Sequence, residues 1–386
     1  MPRGTRDLAP PISEVYRCVE SKLLDEFSSW GYREVRTPLF EYLDVLSKGV
    51  GRGLVKSMFK VQDGDGSLIA FRAEMTTPVA RLVCSRLLSE PMPLKLCYVS
   101  NVVRFKERFK GYPREFWQAG VELIGCRGVE ADAEVMALMI KSLQKLGLGT
   151  VKVDVGHAGI FRRLMALAEL DEDSSESVKS YVLMKDSTGL RSTLERMGCK
   201  SRVVEAFEAV CRVRGVKVLD ELRRLLSDDV VERYAEEVWE LLDLLKEHGV
   251  HRDVTLDLSL IRGLDYYTGV IFEPYTSSFG RALGGGGRYD NLIEAFIGKA
   301  MPATGFALVV DYIVEAIGVE RVVELLNNRR RILVVAKSRS SYLKAVEKAS
   351  ELRSKGFIVD LHPIGDLEGA QVKAERMKAE LLVVDD

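Results

Sequence analysis

The sequence is short of the residues that metal and disulfide chemistry need. Its six cysteines are Cys18, Cys84, Cys97, Cys126, Cys199 and Cys211, and no two of them have CxxC spacing. The four histidines, His157, His248, His251 and His362, form no metal-ligand pattern with them. No metal and no cofactor are therefore expected. No signal peptide is recognised, so reduced thiols and a cytoplasmic location are the expectation. There is no run of eighteen apolar residues, which argues against a membrane span. Low-complexity tracts and short repeats are lacking too. So is any excess of positive charge: 56 Lys and Arg face 57 Asp and Glu, for a net charge of −1. A chain whose main partner is a long nucleic acid normally carries a basic excess, so extensive RNA or DNA contact is disfavoured.

What is present is ordinary globular material. The chain has 386 residues, 47% hydrophobic and 29% charged, enough for two or three domains with a large core. Residues 12–30 show apolar positions at helical spacing and stop at Gly31. GYREVRTPLFEYLDVL reads as a strand that meets Pro38, then a helix. Two apolar runs around Asp-Gly-Asp-Gly in 58–75 predict a hairpin. A helix over 78–89 and strands over 94–109 and 114–125 follow. Consecutive hairpins of this kind predict an α+β protein with an antiparallel sheet. Residues 131–147 read as helix, VKVDVG as strand, and about 158–249 as a helical insertion. LGGGGRYDNL reads as a glycine-rich turn into a helix, and ATGFALVVDYIVEAIG as strand into helix. The expected domains are a core over 1–326, split by that insertion, and a small α/β unit over 327–386. The unit's β-α-β-α-β order predicts a parallel sheet.

Three segments carry more polar chemistry than packing needs. They are FRAEMTTP with Glu74, Thr76 and Thr77; QAGVE with Gln118, Gly120 and Glu122; and RGLDYYTG with Arg262, followed by Arg288 and Tyr289 after four glycines. Strand alternation puts Gln118, Gly120 and Glu122 on one face. Charges on apolar strands are costly unless paired. One account is an internal ion-pair network, with the glycines a flexible loop. The other is a site for a zwitterion. Arg262 would take a carboxylate in bidentate fashion, Glu74 and Gln118 an ammonium, and Glu122 with a tyrosine hydroxyl a polar side chain.

These segments resemble a known family. Over about residues 2–318 the chain is similar to class II aminoacyl-tRNA synthetase cores of the histidyl branch. RGLDYYTG and GGGGRYDNL resemble that branch's two histidine-binding motifs, and GYREVRTPLFE resembles the class II dimer-interface motif. The resemblance implies a histidine pocket made by Glu74, Thr76, Gln118, Glu122, Arg262, Tyr266, Tyr267 and Tyr289. RFKERFKGYPREFWQ (104–118) occupies the second class motif, a hairpin that clamps ATP, and TGFALVVDYI occupies the third. Here Arg104, Gly111, Arg114 and Gln118 match. Lys106 stands where the family has a glutamate that contacts adenine, Tyr112 where it has an arginine, and Tyr312 where the third motif ends in arginine. The ATP site implied by Arg104, Lys106, Tyr112, Arg114 and Tyr312 is degenerate. Adenylate chemistry depends on fixed charges around the triphosphate, so the expectation is that no residue is catalytic and no amino acid is activated.

Several stretches (FEYLDVL, MTTPVARLV, LCYVSNVVR, QAGVELIG and PATGFAL) sit nearer a sister family, the regulatory subunits of short-form ATP phosphoribosyltransferase. That resemblance implies a subunit without catalysis of its own. It would bind histidine, regulate a short catalytic ATP phosphoribosyltransferase subunit by feedback in histidine biosynthesis, and form a homodimer within a hetero-oligomer. The C-terminal unit lacks the last elements of an anticodon-binding domain, so tRNA is not expected as a partner. The alternatives are a divergent histidyl-tRNA synthetase and a paralog of another role.

Overall fold

The apolar stripe that opens the chain becomes helix Ile12–Ser29, which buries Val15, Val19, Leu23 and Phe27. It stops at Gly31, whose φ of 85° is a left-handed geometry that glycine adopts without steric cost. The computed structural model describes residues 1–105, 113–261, 266–326 and 331–385. Lys106, Gly111, Tyr112 and Arg262 lie outside the described residues. Two units are separable, Met1–Ile317 and Gly318–Asp386.

The first unit is built on eleven strands among the described residues. In chain order they are β1 (Arg33–Glu34), β2 (Phe40–Tyr42), β3 (Lys60–Gln62), β4 (Leu68–Phe71), β5 (Leu94–Val103) and β6 (Glu115–Ile124). β7 (Val151–His157), β8 (Val254–Leu256), β9 (Val270–Thr276), β10 (Gly284–Arg288) and β11 (Ala303–Val309) complete them. Eight form one sheet in the order β1-β5-β6-β11-β10-β9-β7-β8, and β2, β4 and β3 form a small one. The large sheet is antiparallel except at its two edge pairs, β1 with β5 and β7 with β8. This is the α+β core with an antiparallel sheet that the sequence leads one to expect. Helix Val129–Lys145 is buried along most of its length, as its Ala, Val, Met and Leu content requires.

The glycine run departs from the sequence reading. Gly284–Gly287 is not a turn but most of β10, fully buried between β9 and β11. A Cβ on Gly284 would meet the Ala307 carbonyl at 2.3 Å, and one on Gly286 would meet the Gly305 carbonyl at 2.1 Å. The glycines let neighbouring backbones approach closely, a use of glycine in strands that a turn signal does not distinguish. Two smaller departures follow. The 94–109 strand ends at Val103, and the 78–89 helix begins at Thr76 and passes into a π-helical stretch at Val83–Leu87.

Between β7 and β8 the chain makes six helices, Ala158–Ala168, Glu172–Met184, Ser187–Arg196, Ser201–Arg212, Lys217–Leu226 and Asp229–Glu247. Aspartates cap three of them: Asp171 accepts from the Ser174 amide, Asp186 from Gly189, and Asp228 from Val230 and Val231. Buried Val178, Val182, Leu190, Leu194, Phe207 and Leu222 give this insertion its own apolar interior.

The second unit holds β12 (Arg331–Ala336), β13 (Ile358–His362) and β14 (Glu380–Val384), all parallel, in the order β13-β12-β14. Helices Tyr342–Ser354 and Leu367–Met377 are the crossovers. Ala345 and Ala349 of the first pack on Ile332, Val334 and Ala336, and Ala370 and Ala374 of the second pack on Leu333 and Val335.

Candidate functional site

Strand register builds the floor of the site. Gln118, Gly120 and Glu122 alternate on β6, and opposite them on β11 stand Val309, Ala307 and Gly305. Ala307 and Gly305 in turn face Gly285 and Gly287 of β10. The centre of this sheet face thus carries almost no side chain. A ligand can lie directly against backbone there. Over the floor is a cavity of about 340 Å³ in the first unit.

Around it the segments singled out in the sequence converge. Glu74, Thr76, Gln118, Tyr266, Tyr267 and Tyr289 all line the cavity. Glu74 follows β4 and opens helix Thr76–Leu82: its Oε2 accepts from the Thr76 amide at 2.5 Å and its Oε1 from the Thr77 amide at 3.0 Å. That structural duty fixes the carboxylate at the wall and leaves acceptor sites on both oxygens. Tyr266 packs against Tyr267 and edge-on to Tyr289, with centroids 5.0 and 5.7 Å apart. Gln118 is 5% exposed, and its Oε1 has no hydrogen-bond partner among the described residues. A buried amide oxygen without a donor costs stability, so a ligand that donates to it gains accordingly.

Glu122 stands behind the tyrosines and is 1% exposed. It accepts from the Tyr289 hydroxyl and, at 3.4 Å, from that of Tyr98. Burial pushes its carboxyl up to about 8, with the nearby Glu74 charge adding to the effect and hydrogen bonds from Tyr289, Thr76 and Tyr98 opposing it. The same burial, with the Glu122 charge, drives the Tyr289 hydroxyl well above its usual range. At neutral pH the carboxyl at the back of the cavity is therefore largely protonated. Its link to the cavity wall runs through the Tyr289 hydroxyl, which lines the cavity.

The rest of the cavity wall includes Arg104, Arg281 and Tyr312, together with the acidic Glu273. Arg104 lines it, donates through Nε to the Ala73 carbonyl, and lies over the Phe116 ring at 5.4 Å. Tyr312 lines it as well and packs 5.3 Å from Phe279. The guanidinium of Arg281 sits over the Tyr312 ring at 5.9 Å and faces the same cavity. Arg281 was not singled out in the sequence. It sits in the loop before β10 and no pattern marks it. Arg114 is elsewhere: its guanidinium lies over Phe105 and Phe59, 5.0 and 5.9 Å from the centroids, and it is absent from the cavity wall.

Two charged residues of these segments serve the scaffold. Arg288 donates to Asp132 at 2.9 Å, to the Gly128 carbonyl at 2.8 Å and to the Cys126 carbonyl at 3.2 Å, tying β10 to helix Val129–Lys145. Asp311, beside Tyr312, accepts from Arg6, from Tyr16 at 3.2 Å and from the Trp117 amide at 2.7 Å. Tyr98, fully buried behind the cavity, is the partner of Glu122 that the sequence reading missed. Its place opposite Gly120 follows from the β5–β6 register, which the sequence left open by the length of the hairpin loop. Among the described residues no three His, Cys, Asp or Glu side chains are placed to hold a metal ion, and no helix is long and apolar enough to cross a membrane.

The profile of the histidyl-tRNA synthetase family matches residues 4–313. An ATP phosphoribosyltransferase regulatory subunit of Geobacter metallireducens is 36% identical over 359 residues, covering 92% of this chain and 82% of that protein. A histidine–tRNA ligase of Methanocaldococcus jannaschii is 35% identical over 364 residues, 94% of this chain and 86% of the other. A crystal structure from Bacillus halodurans, titled as an ATP phosphoribosyltransferase regulatory subunit/histidyl-tRNA synthetase, superposes with a TM-score of 0.86 at 29% identity. It covers 100% of this chain and 98% of its own. The chain therefore belongs to the family of histidyl-tRNA synthetases and ATP phosphoribosyltransferase regulatory subunits, which share one class II synthetase-like fold.

Proposed function

We propose that this chain is a regulatory subunit that binds histidine and acts on a short-form ATP phosphoribosyltransferase catalytic subunit without activating the amino acid itself. One observation carries the binding half. Glu74, Thr76, Gln118, Tyr266, Tyr267 and Tyr289, widely separated in sequence, line one cavity backed by Glu122, and the buried side-chain oxygen of Gln118 has no partner among the described residues. Glu74 and Gln118 suit an ammonium. The raised carboxyl of Glu122 and the tyrosine hydroxyls suit an imidazole. Arg262, by resemblance the carboxylate partner, lies outside the described residues.

The regulatory half rests on the relatives' names and on Tyr312. Where a synthetase's third motif presents an arginine to the nucleotide, a phenol cannot supply a fixed charge to the triphosphate. Histidine would then be a feedback signal, acting through its different affinity for two states of a complex with the catalytic subunit. The chain is taken to dimerise through residues 31–46 within that complex, and to bind no tRNA. Co-purification with a short phosphoribosyltransferase, and histidine inhibition of the pair, tests this directly. A catalytic subunit whose rate and histidine sensitivity are unchanged by this chain rules it out.

The second reading is a histidine–tRNA ligase. Arg104 and Arg281 favour it, because both basic residues line the cavity and could meet a nucleotide's phosphates. Charging of histidine tRNA by the purified chain would establish it.

A further inference from the structure

The segment that carries Tyr266 and Tyr267 is gripped on both sides by the helical insertion. On its N-terminal side is Asp257, directly after β8 and 5% exposed. Lys185 reaches it from the end of helix Glu172–Met184, with Nζ 2.8 Å from Oδ2. Arg214, from the loop after helix Ser201–Arg212, lies 3.4 Å from the same oxygen and also pairs with Asp154 of β7. The Gly215 amide adds a bond to the Leu256 carbonyl at 2.7 Å. The other oxygen of Asp257 accepts from the Ser259 amide and hydroxyl, so the carboxylate turns the chain as well as anchoring it.

On the C-terminal side the first helix of the insertion takes hold. Arg162 donates to the Thr268 carbonyl at 2.8 Å, and the Ala158 amide donates to that of Gly269, also at 2.8 Å. Thr268 in turn donates its amide to the Arg288 carbonyl and its hydroxyl oxygen accepts from the Asp290 amide, on either side of Tyr289. All three tyrosines of the pocket thus depend on backbone that the insertion touches. Between the grips is a cleft of about 440 Å³, lined by Phe161, Arg162, Met165, Leu260, Ile261 and Tyr267. Tyr267 lines both the cleft and the ligand cavity, and so stands between them.

We propose that the insertion is the positioning element of the ligand pocket: through Lys185 and Arg214 at Asp257, and Arg162 and Ala158 at Thr268 and Gly269, it sets Tyr266 and Tyr267 for binding. The identity of the ligand rests on the reading that the pocket takes histidine. The positioning does not. By reciprocity, whatever the docked insertion contributes to ligand affinity, the ligand returns to insertion docking. Lys185, Arg214 and Arg162 are positioning residues, since none of them lines the ligand cavity.

The test combines hydrogen exchange with calorimetry on the full chain. In ligand-free protein, the double variant Lys185→Met, Arg162→Ala should exchange the backbone amides of residues 266–269 about tenfold faster than wild type, the scale of one lost charge-assisted hydrogen bond. Lys185→Arg alone should stay near wild type. Histidine should bind the double variant about tenfold more weakly. It should also slow exchange in helices Ala158–Ala168 and Glu172–Met184 of wild type. Unchanged exchange at 266–269 in a variant that melts cooperatively overturns the inference, whatever histidine does. A wild-type protein that shows the exchange difference but no histidine binding overturns the histidine reading and leaves the positioning standing.

Discussion

The Tyr289 hydroxyl donates to Oε2 of Glu122 inside the large sheet, and both groups are buried. The bond joins the end of β10 to β6 across β11, so the back wall of the cavity is part of the sheet's own polar network. It also makes Glu122 a titrating group with a defined signature. In the unfolded chain this carboxyl titrates near 4.5, and in the folded chain at about 8. The folded state holds a proton that the unfolded state has lost, so this contribution to stability is full below the lower value and fades as pH rises through the upper one. Glu122→Gln keeps an acceptor for Tyr289 and removes the titration. Denaturant unfolding of the two proteins between about pH 5 and pH 9 should show wild type losing stability relative to the variant as pH rises. Parallel curves would place Glu122 in a far more polar setting than the one described.

Gln118 gives a second prediction. Gln118→Met preserves the length of the side chain and removes both the unsatisfied oxygen and the amide donors. Histidine affinity by calorimetry should fall about tenfold, as for loss of a hydrogen bond to a charged group. Stability should hold or rise slightly, because a buried unpaired acceptor is gone.

The glycine floor gives a third. A Cβ on Gly305 would meet Glu122 Oε2 at 2.1 Å and the Val121 carbonyl at 2.4 Å. The second of these is backbone in a central strand and cannot step aside. Gly305→Ala should therefore cost roughly 1–3 kcal/mol in denaturant melts, and the protein that still folds should not bind histidine. A tolerated alanine with normal binding would mean that the floor is not what admits the ligand.

Arg288 separates scaffold from site. Arg288→Met strands the carboxylate of Asp132, which is 1% exposed. Breaking a buried pair in this way costs about 3–5 kcal/mol. The double variant with Asp132→Leu should recover most of that loss. Histidine affinity in the recovered protein should stay close to wild type, because Arg288 faces helix Val129–Lys145 and not the cavity.

Much of this arrangement was legible in the sequence, and the gaps have physical reasons. Strand alternation places Gln118, Gly120 and Glu122 on one face without any structure, because the period of a strand is fixed by its pleat. The crossover order of the second unit is legible for the same kind of reason. The glycine run was not: Gly284–Gly287 gives a turn signal in any local window, and only the close approach of β9 and β11 explains a strand there. Tyr98 and Arg281 escaped because their relation to the pocket is set by register and by a loop path, neither of which has a local signature. The sequence marks Tyr312 as a lost cation, and it is silent on the cation of Arg281 stacked above it.

The central claim is that the chain recognises histidine without activating it. The most direct test is histidine-dependent ATP–pyrophosphate exchange by the purified protein, at histidine concentrations that calorimetry shows to be saturating. The account predicts no exchange above the protein-free blank. Measurable exchange that disappears in Arg104→Ala would contradict it and would make the cavity wall that carries Arg104 and Arg281 a working nucleotide site.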